Sequence, residues 1–173
     1  MRTAVLMLVT LLVVAVAGCA GGPRLAPGFG PTVRPLTASS ALGLYDAARD
    51  GSLRLVIEGL DEDQAGRPDR ALAKYQVALR VDSTNPFAFL ALARHHLEGD
   101  SPEEASAFLD QARALFEAQG ELGPSVDVWG LGLRAGIDRA RGRNERADAL
   151  FAQARRLSPE IWGDERLSAR ELR

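Results

Sequence analysis

The sequence contains few of the residues from which most catalytic and metal-binding sites are built. Among its 173 residues are one cysteine and two histidines, and aromatic residues account for 6%. A single cysteine excludes an intramolecular disulfide, so packing alone must hold any folded domain. The histidines, His95 and His96, are neighbours, and neighbouring side chains on a helix point about 100° apart. They are therefore poorly placed to share one metal ion or one substrate.

Sequence motifs of the common enzyme classes are absent as well. The chain has no G-x-S-x-G, H-E-x-x-H or paired-cysteine motif. The glycine-rich segment 130–136 has the wrong spacing for a dinucleotide-binding loop. We interpret it as a helix that neighbours approach closely, and as the least stable regular element, because each glycine costs about 1 kcal/mol relative to alanine. We therefore expect no enzyme activity, no catalytic residues, no cofactor and no metal site.

The charge balance excludes a second group of functions. Lysine and arginine number 21 and aspartate and glutamate 23, for a net charge of −2 at pH 7. Such a chain offers no broadly basic surface for nucleic acid or anionic lipid headgroups. Its charged runs, at residues 61–63 and at alternate positions over 139–143, are expected to be solvated surface beside turns. For the arginines of the second run, contact with an acidic partner is the alternative.

The amino-terminal residues have the pattern of an export signal. Arg2 is followed by residues 4–17, which include no charged side chain and are fewer than the roughly 20 needed to span a bilayer. The sequence Val-Ala-Gly-Cys at 16–19 resembles the bacterial lipobox, which implies cleavage before Cys19 and acylation of Cys19. Several acyl chains would anchor the protein stably to a membrane. An ordinary signal peptide with an incidental cysteine, or an uncleaved anchor, are the alternatives.

The lipobox resemblance also predicts where the protein resides. Residue 20 is alanine rather than the aspartate that retains lipoproteins in the inner membrane of enterobacteria. We expect a signal peptide over residues 1–18 and a cell-envelope protein that faces the periplasm, on the outer rather than the inner membrane. Residues 19–38 should follow as a lipidated, extended tether, since proline and glycine exclude helix there. The prolines recur every four residues, at Pro23, Pro27, Pro31 and Pro35.

One short pattern of alanines occurs three times in the remaining residues, 39–173. It reads A-x3-[aromatic or Leu]-x2-A, and its copies are 34 and then 42 residues apart. The members are Ala71, Tyr75 and Ala78; Ala105, Leu109 and Ala112; and Ala147, Phe151 and Ala154. A 34-residue period with this pattern resembles the tetratricopeptide repeat, a pair of helices that stacks on its copies into a solenoid.

The resemblance implies an all-α fold, a short α-solenoid of helix-turn-helix repeats with a leading and a capping helix. The repeats would cover about residues 52–85, 86–119 and 128–161, with an insertion between the second and the third at 120–127. The capping helix would cover residues 159–173. Three repeats are about the minimum for a stable solenoid.

Two further details follow from alignment with the family pattern. The segment from Ser39 is helical by its spacing, and either stops at Gly51, with Ser52 capping the next helix, or runs on unbroken through the glycine. His96 occupies the place of a packed aromatic and should be part of the core, whereas His95 should be solvated or half-exposed.

In this family the first helices of successive repeats line a concave groove that binds partners. The resemblance places these residues in such a groove: Leu53, Val56 and Leu60; Phe87, Leu90, Arg94 and Leu97; and Trp129, Gly132 and Arg139. An apolar groove with two arginines suits an extended or helical protein segment that inserts apolar side chains. The alternative is that the chain's own terminal helices fill the groove, since exposed aromatics are unfavourable. The Lys and Asn set with which chaperone-binding members hold a carboxylate is absent, which disfavours an acidic carboxy-terminal tail as the partner.

Together these features predict a membrane-anchored adaptor that binds a protein partner and helps to assemble a complex of the bacterial cell envelope. The alternative is a structural or regulatory envelope lipoprotein with a self-filled groove, which interacts through its outer face or by dimerisation. Nucleic acid is not an expected partner, and the sequence leaves the oligomeric state open.

Overall fold

The computed structural model describes residues 32–173, and all regular elements in this range are α-helices. Six of them are long: α1 (Ala47–Gln64), α2 (Pro68–Val81), α3 (Pro86–Glu98), α4 (Pro102–Ala118), α5 (Pro124–Ala140) and α6 (Asn144–Leu157). Two short helices follow, α7 (Pro159–Trp162) and α8 (Ala169–Leu172). The predicted all-α class is confirmed for this part of the chain. The predictions on the signal peptide, on Cys19 and on the tether up to residue 31 lie outside the described residues.

Proline begins four of the long helices, and a glycine with positive φ ends three of the six. Proline suits the first helical position because its fixed φ is helical and its missing N–H needs no partner there. Gly66, Gly120 and Gly142 have φ of 71°, 71° and 75°, the left-handed conformation that ends a helix at little cost only with glycine. In each case the amides of the glycine and of the next residue bond to carbonyls of the last helical turn. These residues therefore set where the helices begin and end.

The long helices form three pairs, α1–α2, α3–α4 and α5–α6, and the first helices α1, α3 and α5 contact one another in that order. All nine members of the repeated alanine pattern are buried. In the first pair, Tyr75 packs so closely on α1 that a Cβ on Gly59 would overlap its ring. Small residues thus let the paired helices approach each other, and the short α-solenoid predicted from the repeat period is confirmed.

The segment before the first pair contains no separate leading helix. Residues 38–45 form turns and bends, and α1 begins after Asp46, whose side chain accepts a hydrogen bond of 2.8 Å from a first-turn amide. The helix continues through Gly51, so the interpretation of an unbroken helix is right from α1 onward. Ser52 is not a cap, because its buried hydroxyl donates to the Ala78 carbonyl oxygen of α2 at 2.8 Å.

Two predicted boundaries also differ from the structure. The third pair begins at Pro124, ahead of the predicted start at residue 128. The predicted capping helix 159–173 is instead two short helices, because residues 163–168 turn the chain and Glu165 adopts a φ of 61°. This bend carries α8 back across the solenoid to α1 and α3.

Candidate functional site

The face formed by α1, α3 and α5, where the sequence predicted a partner groove, is covered by the chain itself. The first covering segment is the N-terminal strap, residues 32–45, of which Ala38 and Ala41 are fully buried. Residues 33–38 were predicted as part of the tether, but they belong to the folded domain. Four amides between residues 33 and 39 donate to backbone oxygens of distant residues: Val33 to Leu157 at 2.9 Å, Leu36 to Ser125 at 3.0 Å, Ala38 to Leu172 at 3.1 Å and Ser39 to Arg173 at 2.7 Å.

The second covering segment is the C-terminal arm, residues 158–173. Its first helix, α7, packs on α6, and its second, α8, packs on α1 and α3. Trp162 is buried against α5, where a Cβ on Gly132 would overlap the indole ring. At the other end of the arm, Arg173 forms an ion pair of 2.7 Å with Asp61 of α1. The arm therefore spans the face from the third helical pair to the first.

The predicted groove residues lie almost entirely inside the protein. Eight are buried, namely Leu53, Val56, Leu60, Phe87, Leu90, Arg94, Trp129 and Gly132. Leu97 is half-buried and lies against Gly136, and Arg139 is exposed. Covering these apolar side chains gains about 25 cal/mol per Å² of surface removed from water. The expectation of an open groove is therefore corrected, and the alternative, a groove filled by the chain's own terminal segments, describes the structure.

Trp129 shows how the strap closes this face. The side chain is fully buried, and its indole Nε1 donates to the Leu36 carbonyl oxygen of the strap at 2.9 Å. Because the indole has only this one polar group, the hydrogen bond leaves nothing for a partner to recognise. Trp129 is a core residue.

Arg94 belongs to a buried ionic cluster that joins three helices. Its guanidinium lies 3.3 Å from the Asp63 carboxylate of α1 and 2.6 Å from Glu98. Tyr75 of α2 donates to Asp63 at 2.8 Å, and His95 Nδ1 lies 3.2 Å from the same carboxylate. Burial, followed by the charge of Asp63, raises the pKa of Tyr75, so the phenol stays protonated and donates. Arg94 therefore neutralises a charge inside the protein rather than one on a partner.

Arg139, the exposed member of the predicted groove, holds the C-terminal arm in place. It pairs with Glu165 of the arm and lies 2.6 Å from Asp148 of α6. Its guanidinium also stacks 4.7 Å from the centre of the Phe151 ring. The hydrogen bond from Arg139, joined by one from Arg155, holds the pKa of Glu165 below its ordinary value. The charge of Arg139 is thus balanced by carboxylates of the same chain.

The neighbouring arginines of the same run are paired internally too. Arg141 lies 3.1 Å from Glu103 of α4, and Arg143 lies 3.3 Å from the buried carboxylate of Asp138. These contacts connect the end of α5 to its neighbours. They disfavour the alternative in which the arginine run receives an acidic partner.

A cavity of about 600 Å³ lies between α4, α5 and α6, and we call it the outer cavity. The residues of α5 that line it include Asp127, Gly130, Leu131 and Arg134. At about 100° per residue these positions share one side of the helix, whereas Trp129 and Gly132 share the opposite side, towards the strap and the arm. These cavity residues therefore lie on the side of α5 that faces away from Trp162 and from the strap contact of Trp129. The strap reaches the edge of the cavity, where the lining residue Leu157 accepts a hydrogen bond from the Val33 amide.

Of the predicted groove residues, Leu90 alone is among those that line the outer cavity, and the sequence held one further signal for it. The interval between the second and third copies of the alanine pattern is longer than the first. The inserted residues, predicted as a loop over 120–127, supply Leu122, Pro124 and Val126 to the cavity wall. The insertion thus shapes a space between the second and third helical pairs.

Residues 32–173 lack the features of a metal centre and of a membrane-spanning segment. No group of three or more His, Cys, Asp or Glu side chains in this range is placed to hold a metal ion. In the same range, no helix combines the length and the apolar composition needed to cross a bilayer.

Comparison with known protein families gives a match over part of the chain. The family model described as tetratricopeptide repeat matches residues 64–122, which run from the end of α1 to the loop after α4. The match includes α2, α3 and α4, and their packing against one another agrees with it. Domains of this family generally bind protein partners. No curated protein and no solved structure matches the chain.

Proposed function

We propose that this protein is a lipid-anchored protein-interaction module of the bacterial cell envelope, which contacts its partner through the outer face of the solenoid. The match to the tetratricopeptide repeat supports the general function. One observation favours the outer face above the others: the strap and the arm cover the side formed by α1, α3 and α5, while no part of residues 32–173 fills the outer cavity between α4, α5 and α6.

The anchor in this proposal is Cys19, on the strength of its resemblance to a lipobox cysteine. The described domain begins one residue before Val33, whose amide is bonded to the end of α6. Residues 20–31 would then be the whole linker between lipid and domain, and at roughly 3.3–3.6 Å per residue they permit at most about 40 Å. An adaptor of this kind would help to assemble an envelope complex close to the membrane, with Ala20 favouring the outer membrane.

Mass spectrometry of the mature amino terminus tests the anchor. We expect an acylated peptide that begins at Cys19, and recovery of the wild-type protein in the membrane fraction. Cys19→Ala should release the protein from that fraction. The same substitution should leave the thermal unfolding of the protein unchanged. A mature terminus elsewhere, or an unmodified Cys19, would contradict the anchor without affecting the interaction.

Site-specific photocrosslinking in cells tests the interaction and its face. Leu122 and Leu44 are both exposed leucines, at 39% and 64%, but Leu122 lines the outer cavity and Leu44 belongs to the strap. A photoreactive residue at Leu122 should crosslink one defined protein, and the same residue at Leu44 should not. Crosslinks from Leu44 alone would contradict use of the outer face. No crosslinked protein from either position would contradict an interaction module.

A further inference from the structure

We propose that the outer cavity binds an acidic segment of a partner protein, which inserts an apolar side chain while one of its carboxylates contacts Arg113 at the rim. This inference rests on the proposed function and specifies the chemistry of the partner. Three features of the cavity carry it: an apolar interior, an arginine without an ion-pair partner among residues 32–173, and a glycine that neighbouring helices do not require.

The interior of the outer cavity is apolar and comes from all three surrounding helices. Leu109 and Phe116 of α4 are buried at its base, and Leu131 of α5 and Leu150 of α6 are half-buried along its sides. Its volume of about 600 Å³ lies within the range of roughly 300–1,000 Å³ that is usual for binding sites. The space therefore suits a large apolar side chain of a docked segment.

The charged groups that line the outer cavity are mainly arginines. Arg113, Arg134 and Arg146 come from three different helices, and Asp127 is the one acid among the lining residues. Arg134 is paired with Asp110, and Arg146 lies 2.9 Å from Asp138.

Arg113 differs from the other two arginines of the rim. It is exposed and forms no ion pair within residues 32–173. A guanidinium beside apolar surface is well suited to receive a carboxylate in a two-pronged hydrogen bond. Arg113 can therefore pair with a carboxylate of a docked segment, whereas Arg134 and Arg146 already have partners within the chain.

Gly130 keeps the outer cavity open. The other two glycines of α5 are needed for packing, because a Cβ would overlap Trp162 at Gly132 and would lie 2.7 Å from Leu97 Cδ2 at Gly136. At Gly130 a Cβ would meet no atom within 4 Å, although glycine is unfavourable inside a helix. Any larger side chain at this position would extend into the cavity, whose wall includes Gly130.

Peptide binding to the full-length protein in phosphatidylcholine nanodiscs tests the proposal. The probe is a short fluorescent peptide with a central Leu-Phe pair between glutamates; one control replaces the glutamates by lysines and another replaces Leu-Phe by serines. We expect the acidic apolar peptide to bind at least about tenfold more tightly than either control. Equal affinity of the acidic and basic peptides, or no binding of any peptide, would overturn the proposal.

A matched pair of substitutions locates the binding. Gly130→Trp should fill the outer cavity and weaken binding of the acidic peptide at least about tenfold, while Gly130→Ala should change it less than about twofold. Arg113→Glu, at an exposed position, should weaken binding without affecting the fold and serves if Gly130→Trp is unstable. Unchanged affinity in Gly130→Trp or in Arg113→Glu would overturn the assignment to this cavity.

The crosslinking experiment separates this inference from the proposed function. If Gly130→Trp abolishes the crosslinks from Leu122, the interaction module and the cavity proposal are both supported. If a partner still crosslinks at full yield in Gly130→Trp, the interaction module stands and the cavity proposal fails. Crosslinks from Leu122 only to lipid, or only to a second copy of this chain, would also overturn the cavity proposal.

Discussion

Trp162 occupies the space that Gly132 leaves on the surface of α5. Three carbons of the indole ring lie where a Cβ on Gly132 would be, and the indole is almost fully buried. The packing of the C-terminal arm on α5 therefore depends on the absence of a side chain at position 132.

Alanine substitutions at two glycines of α5 should have opposite effects on stability. Gly132→Ala should lower the free energy of unfolding by about 1–3 kcal/mol, because the added methyl group displaces Trp162 and overpacks the site. Gly130→Ala should raise it by about 0.5–1 kcal/mol, because the site is open and alanine favours the helix. Urea denaturation of the two variants measures both changes. Changes of the same sign would contradict the placement of Trp162.

Trp129→Ala should destabilise the protein by about 3–5 kcal/mol, because it leaves a large cavity beneath the strap. Trp129→Phe is the control, since it keeps much of the packing and loses the hydrogen bond to Leu36. Its loss of stability should be clearly smaller. Thermal and urea unfolding report the difference, and an unfolding free energy that Trp129→Ala leaves unchanged would show that the indole is not in the core.

Asp63→Ala should lower the free energy of unfolding by about 3–5 kcal/mol, because Arg94 would remain buried without its buried counter-charge. Glu98→Gln removes the other carboxylate next to Arg94, but Glu98 is about half exposed. Glu98→Gln should lower the free energy of unfolding by about 1 kcal/mol or less. Equal losses in the two variants, measured by urea denaturation, would argue against a special role for the buried carboxylate.

The protein should become less stable as the pH decreases, because of a contribution from His96. Burial, followed by the neighbouring His95, lowers the pKa of His96 in the folded state. The unfolded chain, with a histidine pKa of about 6.5, therefore takes up the proton more readily. This contribution to stability is present above pH 6.5 or so and is lost as the pH falls towards the lower folded-state pKa.

His96→Phe isolates this effect, because phenylalanine does not titrate and can keep the stacking on Phe108, whose ring centre lies 5.0 Å from that of His96. Unfolding free energies of wild type and variant should be compared between about pH 7.5 and 5. We expect the wild type to lose stability relative to His96→Phe as the pH falls. A constant difference would contradict a lowered pKa.

The repeating part of the fold could be predicted because its physical requirements recur along the chain. Each helical pair needs small residues where its helices touch, and the alanines that begin with Ala71 and Ala78 meet that need at a fixed period. Proline at helix starts and glycine after helix ends are local signals of the same kind. The helices that carry the predicted groove residues were therefore identified correctly.

What covers those residues could not be predicted in the same way. The strap is held largely through backbone amides, such as that of Val33, and backbone groups leave no pattern in the sequence. The charge of Arg94 was visible, but its partner Asp63 lies 31 positions away. The outer cavity arises from the spacing of three helices, and the sequence recorded that spacing only as an insertion.

The strap also sets an order on the folding of the chain. Its residues leave the ribosome before those of the helices, but Trp129 reaches Leu36 across 93 positions of sequence, and Leu172 and Arg173 come later still. Helical pairs can form from local contacts as they emerge, at about 5–20 residues per second, whereas contacts of such long separation form slowly. Until the C-terminal arm has been made, the apolar side of α1, α3 and α5 has nothing to cover it. A nascent chain therefore passes through a stage in which chaperones can bind the surface that the folded protein conceals.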